Sequence, residues 1–278
     1  MTQLLSAYAG HRTSDGTGVT VILPPPGTVG SGEVRGGAPA TREFPLLDPT
    51  RLVDRIDAVV LSGGSAFGLA AADGVVDLLR ERGQGLATPV GPVPIVVGMS
   101  LFDPSAGGTP PSAGDGRLAA ESALAGEPLT TGRAGAGTGA TTGKWRNRLD
   151  PGGIGLAVRD AGGVQVAALI AVNAWGDVLP PGGVPVFPAV PARGFDMQNT
   201  TIGVVLTTAR LTKTDCFLLA QSGHSGYARA IHPAHSRYDG DALVALATGE
   251  ATEPADLELL RAVTTETVAE AIRAAVAS

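Results

Sequence analysis

Asn199-Thr200-Thr201-Ile202-Gly203-Val204-Val205-Leu206 is the stretch on which the fold turns. A β-branched, apolar run of this kind reads as a buried strand. Before it, from Leu179 to Phe195, come Pro180, Pro181, Pro185, Pro188 and Pro191 with Gly182, Gly183 and Gly194, which excludes continuous helix or central strand. A hydroxyl at the mouth of a buried strand is held rigidly, as a nucleophile must be. Thr200 is therefore a candidate nucleophile; the plain alternative is two threonines that open a strand.

Working outward, Gly153 to Val158 and Val164 to Val172 predict a β-hairpin turned at Asp160-Ala161-Gly162-Gly163, with Asn173 ending its second strand. Downstream, Thr212 to Ile231 reads as helix, Ala242 to Ala247 as a strand introduced by Asp239-Gly240-Asp241, and Leu257 to Val276 as an amphipathic helix. Upstream, Val19 to Leu23 and Ile56 to Leu61 read as strands, and Pro94 to Gly98 with Leu101-Phe102 as a third. A short helix is expected from Asp48-Pro49-Thr50, a longer one from Ser65 to Gly83 and another from Arg117 to Ala125, with Gly107 to Gly116 as loop. Strands and helices in both halves predict a layered α/β (α+β) sandwich, sheets inside and helices outside.

Composition narrows the function. The 278 residues are 44% hydrophobic and 17% charged, enough for a large core in one domain or two closely joined ones. A net charge of −6 without a basic block, and 4% aromatic residues, argue against nucleic acid as a partner. No run approaches a membrane span and Met1 to Leu4 lacks the parts of a signal peptide, so no membrane partner and a cytoplasmic location are expected. Cys216 is the single cysteine, which excludes an intrachain disulfide.

Several glycine-rich turns invite phosphate readings. Ser62-Gly63-Gly64-Ser65 between strand and helix is either an anion site or a close-packing turn. Gly135-Ala136-Gly137-Thr138-Gly139-Ala140 fits G-x-G-x-x-A, but no apolar strand precedes it. A P-loop fails because Trp145 follows Lys144 where Ser or Thr is needed. No cofactor is expected. His232-Pro233-Ala234-His235 is a weak metal candidate, since Pro233 breaks helical presentation, and no metal is expected either.

Taken together, Glu33-Val34-Arg35-Gly36-Gly37-Ala38-Pro39, Leu61 to Leu69, Asn199-Thr200-Thr201 and Asp239-Gly240-Asp241 resemble the self-processing family of L-aminopeptidase/D-esterases and β-aminopeptidases, across nearly the whole chain. The resemblance is nearest to its 6-aminohexanoate-oligomer endo-hydrolase, or nylon hydrolase, branch, where Thr stands in place of Ser. It implies an αββα four-layer sandwich of the N-terminal-nucleophile-hydrolase kind, in which residues 1–278 form a single domain cut into an α chain, 1–199, and a β chain, 200–278. It also implies catalytic residues at Lys144, Asn173, Thr200, Asp239 and Asp241, a small amide or oligoamide substrate, and a homo-oligomer, commonly four αβ units. The family pattern places a tyrosine at the site in some members, and none stands near Phe102 here.

Those residue types suit the chemistry. Cleavage before Thr200 would free an α-amine of pKa about 7.7–8.0, close enough to Oγ to take its proton. Asp239 and Asp241 suit holding and orienting that ammonium, Lys144 offers a cation to lower a pKa or steady an oxyanion, and Asn173 an amide donor for an oxyanion hole. Three functions remain in view: an amidase for linear amides such as 6-aminohexanoate oligomers, an aminopeptidase or esterase for small L-, D- or β-aminoacyl compounds, and an uncut small-ligand-binding protein.

Overall fold

Strand periodicity builds the centre of the molecule. In the computed structural model, which describes residues 4–192 and 199–277, the elements run in the order β1 (Tyr8–Ser14), β2 (Thr17–Leu23), β3 (Val29–Val34), β4 (Thr41–Arg42), β5 (Ala58–Ser62), α1 (Ala71–Glu81), β6 (Val96–Ser100), α2 (Ala113–Leu124), β7 (Thr141–Thr142) and β8 (Asp150–Pro151). Then follow β9 (Gly153–Asp160), β10 (Gln165–Asn173), β11 (Asp177–Val178), β12 (Thr200–Thr207), α3 (Lys213–Ala230), β13 (Ile231–His232), β14 (Ala242–Ala247) and α4 (Leu257–Ala275).

Alternation along β12 shows how the layers form. Ile202, Val204 and Leu206 point to one face and meet Ile22, Leu61 and Met99, while Val205 points to the other and meets Leu219 and Val268 on α3 and α4. One sheet has the order β3-β14-β12-β10-β9 and the other β1-β2-β5-β6-β4. The second carries α1 and α2 on its outer face through Val19, Val21, Val60, Val75 and Leu79. The result is an α+β sandwich of four layers, helix, sheet, sheet, helix.

Several expectations are corrected. No helix starts at Asp48; a 3₁₀ turn at Phe44–Leu47 precedes it, and the Asp48 carboxylate instead accepts the Thr50 amide at 2.8 Å. The chain from Ser65 opens as 3₁₀ helix to Ala70 before turning α-helical. The segment read as loop up to Gly116 already contains the first turn of α2, started by the Ser112 and Asp115 capping box. Leu101-Phe102 lies beyond the end of β6. Strands β1 and β3 had no clear signal, because β1 lies at a sheet edge with polar residues outward and β3 is built from small residues against Ile56 and Leu47.

The Gly63-Gly64 turn resolves to packing. The amides of Gly63, Gly64 and Ser65 donate to Gly18 O, Asp103 Oδ1 and Leu101 O at 2.9, 3.1 and 2.9 Å. Three donors an anion would need are thus engaged within the chain. Among the described residues no helix is long and apolar enough to cross a membrane, and no group of three or more His, Cys, Asp or Glu is placed to hold a metal.

Candidate active site

The site forms where the central strands of one sheet end together. Antiparallel register sets Asn173, last in β10, opposite Thr200, first in β12. On the other side β14 runs parallel to β12, so the residues before each strand also meet, through a bridge between Asn199 and Asp239. Asp239-Gly240-Asp241 therefore runs alongside Asn199-Thr200-Thr201. The Gly-rich segment Glu33 to Pro39 supports it from behind: Arg35 N and Gly36 N donate to Asp241 O, and Ala38 N donates to Asp239 O.

Thr200 is 3% exposed and its hydroxyl lies against the Asn199 carbonyl. The same carbonyl accepts the Gly240 amide at 3.3 Å. A side chain at 240 would collide here, since a Cβ would sit 2.7 Å from Thr200 Oγ1 and 2.8 Å from Ala38 O. The glycine permits two strand entrances to approach this closely.

Lys144 reaches the site from a 3₁₀ turn entered through Gly143, whose φ of 78° favours glycine. A lysine after a Gly-rich loop is usually solvated, yet this side chain is 1% exposed. Its ammonium donates to Asn173 Oδ1 at 2.8 Å and Asn173 O at 3.3 Å. Burial pushes its pKa down to about 7, and the negative charge of Asp239 resists that fall. The turn is tied down by Asp177, which accepts from Trp145 Nε1 and the Arg146 guanidinium.

Asn173 is oriented on both sides of its amide. Oδ1 accepts from Lys144 and from Thr141 N, and Nδ2 donates to Phe102 O at 2.8 Å. Asn173 thus ties Lys144 to the strand end opposite Thr200, and a backbone amide, that of Gly240, also donates to the Asn199 carbonyl.

The two aspartates, each 2% exposed, face different partners. Asp239 accepts from Trp175 N, Ser236 N and Ser236 Oγ at 3.2, 2.9 and 2.5 Å. Burial and the neighbouring Asp241 raise its pKa. Asp241 accepts Thr201 N at 2.8 Å through Oδ1, while Oδ2 faces His235. All five residues expected from the sequence are thus brought together.

Other residues escaped sequence reasoning. Both tryptophans of the chain and Tyr238 border Lys144 and Asp239, with ring centroids 6.4 Å apart for Trp145 and Trp175 and 5.5 Å for Trp175 and Tyr238. Tyr238 thus packs on Trp175, whose amide donates to Asp239, and adjacency to Asp239 in sequence was the available signal. His232 packs on Trp145 at 5.5 Å and His235 bonds Asp241. Arg193 to Gln198, including the end of the Pro-rich loop at Phe195, lie outside the described residues.

Comparison with known proteins agrees with this architecture. An uncharacterized aminopeptidase of Mycobacterium tuberculosis is 42% identical over 277 residues, covering 90% of this chain and 78% of that protein. A 6-aminohexanoate-oligomer endohydrolase of Paenarthrobacter ureafaciens is 32% identical over 275 residues, covering 90% and 74%. Among solved structures, a β-aminopeptidase from a Burkholderia species is 25% identical with a TM-score of 0.74, covering 97% of this chain and 84% of that one. An L-aminopeptidase D-Ala-esterase/amidase from Ochrobactrum anthropi, described as a variant of the Ntn hydrolase fold, shares the fold at 20% identity, with a TM-score of 0.73 and coverage of 97% and 82%. The profile of peptidase family S58 matches residues 6–278, so the chain belongs to that family and is a peptide- or amide-bond hydrolase.

Proposed function

We propose that the chain cuts its own Asn199–Thr200 bond and that Thr200, then amino-terminal, is the nucleophile of an amidase for linear amides such as 6-aminohexanoate oligomers. The observation that carries this reading is the Thr200 hydroxyl lying against the Asn199 carbonyl while the Gly240 amide donates to that carbonyl. In self-cleavage, Oγ bonds to the carbonyl carbon and gives its proton to a nearby base. The Thr200 nitrogen takes up a proton and leaves, which moves the acyl group from nitrogen to oxygen. Water then hydrolyses the ester, leaving Asn199 as a carboxylate and freeing the hydroxyl.

Lys144 suits the role of base, because at a pKa of about 7 a share of it is neutral near physiological pH. Gly240 N–H suits charge developing on the carbonyl oxygen. In turnover, the new α-amine takes the hydroxyl proton, the substrate acyl group moves to Oγ with loss of the amine, and water releases the acid. Asp239, Asp241 and Asn173 hold these groups in place.

The carboxylates of Asp239 and Asp241 are engaged by protein donors, which favours a substrate whose amine lies away from the scissile bond. A second reading, an aminopeptidase or esterase for L-, D- or β-aminoacyl groups, is favoured by the 42% identity to an aminopeptidase. Turnover of linear 6-aminohexanoate oligomers against a panel of aminoacyl amides decides between them: oligomer cleavage without need of a substrate α-amine supports the first. Thr200→Ala should abolish both cutting and turnover, and two pieces from that variant would refute the scheme.

A further inference from the structure

His235 belongs to the one histidine motif of the sequence that the proposed chemistry leaves unused, and its surroundings give it a task. Its backbone has φ of 56°, a left-handed conformation uncommon outside glycine and asparagine, which turns the ring inward. Nδ1 lies 2.8 Å from Asp241 Oδ2 and Nε2 lies 3.3 Å from His224 O. Both ring nitrogens thus face oxygens that carry lone pairs. A neutral imidazole has a single N–H, so a second proton must sit between His235 and Asp241. Asp241 already accepts Thr201 N through Oδ1 and His235 N through Oδ2, a set of backbone donors that suits a carboxylate. The second proton accordingly belongs to the ring.

We propose that His235 is a positioning residue for the reaction: as an imidazolium it neutralises Asp241, and so leaves Asp239 and Lys144 as the pair that shares the exchangeable proton beside Thr200. This rests on the reading of Thr200 given above.

The groups that face His235 from each packed element agree with this assignment. On α3, His224 meets the ring at 4.9 Å between centroids; its Nε2 faces Glu33 O, and burial brings its pKa down to about 4, so it is neutral and does not compete for the charge. Tyr227, also on α3, stacks on His235 at 5.6 Å and donates its hydroxyl to Ala242 O. On and after β3, Arg35 would repel an imidazolium, but it is paired with Glu33 at 2.8 Å. Burial lowers the pKa of His235, and the bond to Asp241 with its charge outweighs that, so the net direction is upward. Asp239 lies two residues from Asp241, and its charge in turn acts on Lys144.

Two measurements test the proposal. In the uncut Thr200→Ala chain, nitrogen chemical shifts of labelled histidine report the state of each of the four rings. His235, assigned by its loss in His235→Asn, should be doubly protonated at pH 7.5 and should become neutral there when Asp241→Asn is added. A neutral ring at pH 7.5 in the parent overturns the proposal.

The second measurement is the pH profile of turnover in self-cleaved His235→Asn, with a linear 6-aminohexanoate oligomer or an aminoacyl p-nitroanilide, whichever the unmodified chain hydrolyses. Asparagine tolerates the left-handed backbone and its amide can replace Nδ1–H without the charge. Loss of a nearby positive charge should move the acid limb to higher pH by about half a unit or more. An unmoved limb, with only stability reduced, leaves His235 a structural residue and refutes the proposal. Failure of the unmodified chain to cut itself would sink the Thr200 reading, while the histidine shifts still decide the state of His235.

Discussion

Replacing Gly240 with alanine probes the geometry at Thr200 while keeping every hydrogen-bonding group of the site, the residue 240 amide included. An added Cβ would stand 2.7 Å from Thr200 Oγ1 and 2.8 Å from Ala38 O, about 0.7 Å inside ordinary van der Waals contact. The Ala38 side is backbone, tied by its amide to Asp239 O at 2.9 Å, so the threonine hydroxyl is the part that gives way. A displacement approaching 1 Å costs about 10²-fold in rate when reacting groups are prearranged. Overpacking a buried site of this kind costs about 1–3 kcal/mol of stability. Gly240→Ala should therefore accumulate uncut chain, with first-order cutting slowed about 10²-fold as followed by denaturing gel after rapid purification. Gly107→Ala, where an added Cβ meets nothing within 4 Å, is the control and should cut normally. Should Gly240→Ala cut as fast as the unmodified chain, the Thr200 hydroxyl is not the attacking group in the arrangement described.

Asp239→Asn removes the charge that holds up the Lys144 pKa, so self-cleavage should slow at least about tenfold and the Lys144 limb of its pH profile should move below about 7; unchanged cutting would remove Asp239 from the scheme. Burial sets the Lys144 pKa near 7 against 10.5 in the unfolded chain, so between pH 7 and 9 the unfolded state holds a proton the folded state lacks. Stability should thus rise with pH in that window, by at most about 1.4 kcal/mol per unit, and Lys144→Met should flatten the rise in denaturant titrations. At the α1 and α2 crossing, a Cβ on Gly116 would stand 1.8 Å from Ala71 O, so Gly116→Ala should cost more than about 2 kcal/mol in thermal unfolding, and an unchanged midpoint would refute that packing.

What was legible in the chain followed from strong local signals. The hairpin β9–β10, strands β12 and β14 and helices α3 and α4 stand close to where apolar periodicity puts them. The motifs carrying Asn173, Thr200, Asp239 and Asp241 sit at strand ends, so reading the strands also placed these residues. Less visible were features made by long-range approach. Lys144 is buried because Asn173 lies 29 positions away in sequence yet beside it in space. Gly240 matters for what it does not carry, and the burden falls on Thr200 and Ala38, which no local pattern reveals. His235 looked like half of a metal motif, and its carboxylate partner lies six residues on, across a left-handed turn that propensity does not foresee. Asp48 misled because an acidic residue before proline fits a helix start and an Asx turn equally well.

The central claim is tested most directly by intact mass spectrometry of freshly purified protein under denaturing conditions. The account predicts two polypeptides, residues 1–199 and 200–278, the second beginning with Thr200, and one uncut chain for Thr200→Ala. Active protein that runs as a single chain of 278 residues would contradict it.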